Sequence, residues 1–363
     1  MALGQGQHKV IGVERAHATG SVQHRLTDNA AVTHTFRTID AHVAGGPLRL
    51  IVEGLPSPQG RRMHERQAWA ERRLDHYRLA LMREPRGHRD LWGAMLTEAA
   101  SDDGHAGVLF MHGTGWPALN LHAMAAVATL AVEHGLLAGD VREWRFDTVA
   151  GRVVVQPVTE PGAGGPRVVL VRVRGVPSFV WEAGVPLQVQ GRTLRADVAF
   201  GGVFHAVVDA ESVGIPLVPG RLDDLRRMGM AIAAEVSALR RVQHPVLEHL
   251  TGLAGTVFTG PAMGEAHLRS VAVGMDGQVD RTASGTATAA VMAVLTEMGL
   301  LMDDQPFVQE SVLGLPMTGH VVGLQRVDER TAVVPVIEAR AWTTGMHTFV
   351  LDGDDPLRSG FQL

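Results

Sequence analysis

Apolar and polar positions alternate along most of this chain with a period close to two. FRTIDAHV (36–43), LRLIVEGL (48–55), GVLFMH (107–112), RVVVQPV (152–158) and RVVLVRVRGV (167–176) each predict a strand rich in β-branched residues. LRADVAF (194–200), HAVVDA (205–210), RSVAVGM (269–275) and AVVPVIEARAW (332–342) predict four more. Turn-forming PSPQG (56–60) and EPGAGGPR (160–167) separate some of these runs. Elsewhere the spacing is helical. Residues 61–83 set Met63, Trp69, Leu74, Leu79 and Met82 among arginines and glutamates, and a second polar helix is expected from Leu222 to Arg241.

Two further segments are apolar almost all round. Residues 120–137 read NLHAMAAVATLAVEHGLL and residues 284–301 read SGTATAAVMAVLTEMGLL; aligned without a gap they agree at 8 of 18 positions. The shared ending E-x-G-L-L puts a glycine just past the last helical turn of each, where a left-handed residue stops a helix. A helix with no polar face belongs inside a protein. The chain therefore reads as an internal duplication. The expected fold class is α/β (α+β), with two pseudo-symmetric domains, each wrapping strands around a central apolar helix.

Composition narrows the function. A chain of 363 residues is long enough for two domains, and 45% hydrophobic with 20% charged residues is ordinary for a globular protein. The net charge of −5 leaves no basic footprint for a nucleic-acid partner. No apolar run approaches the ~18 residues of a membrane-spanning helix, so no membrane partner is expected. Residues 1–35 lack a continuous apolar stretch; they read as a polar, poorly ordered extension rather than a secretory signal, and a cytoplasmic location follows by default. The absence of cysteine excludes disulfides, thiolate nucleophiles and cysteine zinc sites. The 18 histidines scatter without ligand spacing, so no metal is expected.

The duplicated helices carry the candidate chemistry. A helix N-terminus presents unpaired N–H groups and a positive dipole end, and so attracts an anion. Two such ends converging on one cleft would hold a carboxylate with a residue on either face of its α-carbon. The residues that start the helices are Asn120 and Ser284.

Longer stretches make the chain similar to a known family. TIDAHVAGGPLR (38–49), LMREPRGHRDLWGA (81–94), GVLFMHGTGWPALNLHA (107–123), DVAFGGVFHA (197–206), QVDRTASGT (278–286) and DDPLRSGF (354–361) resemble the proline racemase family, above all its trans-3-hydroxy-L-proline dehydratase branch. The resemblance covers roughly residues 36–363. It implies a diaminopimelate-epimerase-like fold, with a first domain over 36–175 joined by the segment 346–363 and a second over 176–345. It also implies a small imino acid carboxylate as the ligand, proton transfer at its α-carbon, and no cofactor. A homodimer is compatible with it.

The resemblance also shows what is missing. Racemases of the family place one cysteine at the start of each helix, and the dehydratases keep the first and carry threonine at the second. Here the M-C-G-H pattern reads Leu119-Asn120-Leu121-His122, and D-R-S-P-C-G-T or D-R-S-P-T-G reads Asp280-Arg281-Thr282-Ala283-Ser284-Gly285-Thr286. Val43, Gly46 and Leu121 depart as well, where the family has threonine, an acidic residue or histidine, and glycine. Asn120, Ser284, His122 and Asp280 thus occupy the catalytic positions, with His122 and Asp280 implied beside the substrate nitrogen. Gly285 and Thr286 are implied to offer backbone N–H groups to the carboxylate, Leu121 to keep its N–H but crowd the cleft, and His88 to line the pocket. An amide cannot exchange a proton, so the plainer reading of Asn120 is a helix cap. Ser284 serves only if a neighbour takes its proton. Two readings follow: an enzyme on a proline or hydroxyproline derivative, dehydratase before epimerase, or a family member that binds such a ligand without α-proton abstraction.

Overall fold

The computed structural model describes residues 33–137 and 141–362. Most of the polar N-terminal extension, residues 1–32, lies outside the described residues, and the first strand starts at His34, within the stretch read as extension.

In chain order the first part comprises β1 (His34–Val43), β2 (Gly46–Glu53), α1 (Met63–Arg73), α2 (Asp75–Met82), β3 (Trp92–Thr97) and β4 (Ala106–His112). It continues with α3 (Leu121–Glu133), β5 (Trp144–Thr148), β6 (Gly151–Gly162) and β7 (Gly165–Arg174). Then follow β8 (Phe179–Val189), β9 (Arg192–Phe200), β10 (Phe204–Asp209), α4 (Ala210–Val213), α5 (Leu222–Leu239), β11 (Leu253–Gly260) and β12 (Leu268–Gly274). The last elements are α6 (Gly285–Glu297), β13 (Phe307–Glu310), β14 (Pro316–Val327), β15 (Arg330–Ala339) and β16 (Ala341–Leu351). Among the described residues no helix is long and apolar enough to cross a membrane.

All the strands form one mixed sheet in the order β16-β1-β2-β3-β4-β5-β6-β7-β15-β14-β13-β12-β11-β10-β9-β8. Going outward from the β7–β15 junction, both arms show the same series: two antiparallel pairings, a parallel one, an antiparallel one, a parallel one, then two antiparallel ones. Parallel neighbours need a crossover, and the helices supply it. The pairs α1–α2 and α4–α5 make the outer crossovers, and α3 and α6 make the inner ones. The last strand, β16, returns to pair with β1 and completes the first arm.

The inner crossovers are the duplicated segments. Leu121 to Val132 of α3 are all buried, and α6 is buried from Gly285 to Val294, so both pack as apolar cores inside their strands. Both stop in the same way. Leu136 donates to Ala131 O and Gly135 to Val132 O; Leu300 donates to Leu295 O and Gly299 to Thr296 O. Gly135 and Gly299 sit at φ 63 and 71, which a side chain resists, so the repeated glycine is the stop signal.

Several expected elements change in detail. The 61–83 helix breaks at Leu74 into α1 and α2, and AVVPVIEARAW divides at Arg340 into β15 and β16. The strands β3, β5, β8, β11, β13 and β14 went unread. In β8 the register shifts near Glu182 and again before Val185, which breaks the alternation that would have revealed it.

Two of the stretches quoted above, REPRGHRD (83–90) and DDPLRSGF (354–361), dock on one another. Arg86 contacts Asp355 at 2.5 Å, and the Phe361 N–H donates to Glu84 O at 2.8 Å. In TIDAHVAGGPLR, Arg49 and Asp40 face each other across the β1–β2 hairpin as a buried ion pair at 2.8 Å.

Gly201, in the turn between β9 and β10, lies against α6: a Cβ there would fall 2.0 Å from Thr286 O and 2.7 Å from Ala290 N. Gly201→Ala is expected to cost about 3 kcal/mol by overpacking. Gly164→Ala, where nothing lies within 4 Å, should stay within about 0.5 kcal/mol. Urea midpoints at constant slope measure both, and equal midpoints would show that α6 is not pinned by this turn.

Candidate active site

The approach to α6 is wound by nested polar turns. Asp280 Oδ1 accepts from the Thr282 N–H at 2.9 Å and the Thr282 hydroxyl at 2.8 Å, and Thr282 Oγ1 accepts from the Ser284 N–H at 2.9 Å. These bonds hold Ser284 at φ 55, ψ 109, a conformation that costs of order 1–3 kcal/mol outside glycine. The Ser284 side chain makes no capping bond to α6, and the residue borders an open cavity.

The approach to α3 differs. Asn120 Oδ1 accepts from the Ala123 N–H at 2.8 Å, so this side chain caps its own helix and is buried. Leu121 turns toward Gly175 and is fully buried. His122 is buried, with Nδ1 3.4 Å from Thr282 Oγ1 and 3.9 Å from Asp280 Oδ2. Burial pushes its imidazole below the usual histidine range, against the opposing pull of Asp280. Its Nε2 has no partner.

The two helix starts meet directly. A Cβ on Gly285 would lie 2.7 Å from Leu121 Cβ and 3.0 Å from His122 N, so only glycine permits the contact. The β1–β2 and β9–β10 turns reach across to the segment that leads into the other arm's inner helix. A Cβ on Gly46 would meet Thr282 Cγ2 at 2.6 Å, and one on Gly202 would meet Leu119 at 2.5 Å.

Beside this junction lies a cavity of about 480 Å³, bordered by Asp280, Ser284, Thr286, His205, Asp90 and Trp92 among others. That size suits a small-molecule site. The N–H groups of Gly285 and Thr286, the first two helical residues, have no acceptor within the helix. Asp90 and Arg281 pair at 3.4 Å across the two arms. Burial raises the Asp90 carboxyl, with Arg281 opposing, and its Oδ1 lacks a partner.

Of the residues singled out from sequence, Asp280, Ser284 and Thr286 border the cavity, and His122 and Gly285 pack immediately behind it. Leu121 corrects the expectation of crowding, because its side chain fills core space rather than cleft. His88 is also corrected. It is exposed, with Nδ1 at 2.7 Å from Arg89 O, and Asp90 from the same stretch reaches the cavity instead. His205 and Arg281 were missed as site residues. A signal existed for His205: DVAFGG (197–202) repeats the D-x-x-[VF]-[AG]-G spacing of DAHVAG (40–45), the turn beside the other helix.

Comparisons with known proteins show which family the chain is similar to. The family model described as proline racemase matches residues 38–362. The trans-3-hydroxy-L-proline dehydratase of Bacillus thuringiensis subsp. konkukian is 38% identical, over 92% of this chain and 99% of that one. The proline racemase of Acetoanaerobium sticklandii is 34% identical, over 90% and 98%. The hydroxyproline epimerase of Agrobacterium vitis, solved with bound trans-4-OH-L-proline, superposes with a TM-score of 0.84 at 28% identity, over 91% of this chain and 96% of that one. The chain belongs to the proline racemase family.

The buried imidazoles set an acid limit. Burial lowers His205 to about 4 from an ordinary 6.5, so the unfolded chain takes up its proton first as pH falls. The stability from its neutral form is complete above about pH 6.5 and is lost as pH falls toward 4. His205→Gln should shrink the loss between pH 7 and pH 4 by up to about 3 kcal/mol. Urea unfolding at both pH values measures it, and an unchanged difference would show His205 titrating normally.

Proposed function

We propose that this cleft holds a proline- or hydroxyproline-like imino acid in the manner of a trans-3-hydroxy-L-proline dehydratase. One observation carries the reading: the start of α6 abuts the start of α3, and beside that junction lies a cavity bordered by Asp280, Ser284 and Thr286. The carboxylate would sit on the N–H groups of Gly285 and Thr286, where the helix start favours negative charge. The ring ammonium would oppose the Asp280 carboxylate. The same donors would stabilise charge that develops on the carboxylate as the α-proton leaves. Dehydration needs a base on one face only, with the 3-hydroxyl departing as water, so a hydroxyl residue at position 284 is compatible with it. On this reading the ligand lies between the domains 36–175 (with 346–363) and 176–345, and the protein meets it in the cytoplasm.

A second reading, binding without α-proton abstraction, is favoured by Asn120. Its side-chain oxygen is committed to capping α3, and an amide is no base. Incubation with trans-3-hydroxy-L-proline and assay of the pyrroline product, with calorimetry alongside, separates the two. Product formation supports the enzyme, and binding without product supports the binder. If neither occurs, the cleft assignment itself fails.

Asn120→Cys is expected to create or raise dehydratase activity by about 10²-fold or more, the low end of what a positioned base contributes. It should also lose a cap worth about 1 kcal/mol. Ser284→Cys alone should leave activity at the level of the unaltered protein. Leu121→Gly is expected to be harmful, costing about 2–5 kcal/mol, because that side chain fills the core. Initial rates and thermal midpoints of the three variants test the set; an inert Asn120→Cys that still binds would exclude position 120 as the only loss.

A further inference from the structure

His205 has no role in the site described so far. It lies on β10, borders the cavity and is 6% exposed. Its Nε2 is 3.4 Å from Thr286 Oγ1, while its Nδ1 is buried with no partner. Thr286 is 5% exposed, and among the described residues this imidazole is the one partner of its hydroxyl.

We propose that His205 is a positioning residue, whose Nε2–H donates to Thr286 Oγ1 and thereby turns the Thr286 hydroxyl proton into the cleft toward the ligand's carboxylate. The inference rests on the reading of the cleft as a carboxylate site. A neutral imidazole carries one N–H. On Nδ1 that hydrogen would be an orphaned buried donor, a rarer fault than an unused lone pair. On Nε2 it meets an oxygen. Thr286 Oγ1 then acts as the acceptor in that bond, so its own proton must point elsewhere, and no protein acceptor takes it. An anion in the cavity does. Thr286 would meet that anion twice, through its hydroxyl and through its N–H at the start of α6. Burial supports this arrangement, since an imidazole lowered to about 4 stays neutral and serves as a donor rather than a base.

Calorimetry with L-proline and with L-prolinamide, which lacks the carboxylate, tests the proposal. His205→Phe should weaken L-proline roughly five- to tenfold, the size of one neutral hydrogen bond, and leave L-prolinamide within about twofold. His205→Gln, whose amide can donate, should recover most of the loss. In a Thr286→Val background, His205→Phe should change nothing further, because the two residues act as one unit. Additive losses, or equal weakening of acid and amide, overturn the proposal. Nitrogen-15 spectra of the histidines supply a test that needs no ligand: the Nε2–H tautomer is expected at His205, and the Nδ1–H tautomer overturns the pairing. If the unaltered protein binds no imino acid, the cleft reading alone is lost, and the tautomer decides the His205–Thr286 contact by itself.

Discussion

The rest of the molecule is arranged around a repulsion. Two helices buried inside separate strand arms meet start to start, so two positive dipole ends and their unpaired N–H groups face one another away from bulk water. Gly285 permits the approach, since any side chain there would strike Leu121 and His122. Negative charge must offset such a junction. Asp280 supplies part of it from the loop leading into α6, beside the cavity that Ser284 and Thr286 border. The neutrality of His122 and His205 fits the same constraint, because a buried cation at this place would add to the unfavourable field.

Much of this was legible in the sequence, for identifiable reasons. The duplication was visible because both inner helices must be apolar all round and must end in a left-handed glycine, and these two demands leave a pattern. Asn120 as a cap was legible from residue chemistry alone. What stayed hidden depended on direction rather than residue type. Leu121 would crowd a cleft or fill a core depending on which way its Cα–Cβ bond points, and the path toward Gly175 has no local signal. His88 and Asp90 lie two residues apart, and only the fold decides which one faces inward. His205 went unread because one histidine in a strand carries no period, although the spacing around it repeats that of the first arm.

Part of the family likeness is written in residues away from the helix starts. REPRGHRD and DDPLRSGF meet through Arg86–Asp355 and the Phe361–Glu84 bond, and TIDAHVAGGPLR is tied by Arg49–Asp40. These contacts hold strands and turns in place, so they persist whatever happens at the helix starts. Of the two positions that start the helices, Asn120 also caps α3, so a change there touches the scaffold as well.

The return of β16 to the edge of β1 has a consequence for how the chain is made. The second arm has all of its strands once residue 339 has been synthesised, whereas the first arm, begun far earlier, lacks its outermost strand until residue 351. Domains usually fold N-terminal first as they leave the ribosome. Here that order has a limit set by topology: one edge of β1 has no strand to pair with until the last strand of the sheet has been made.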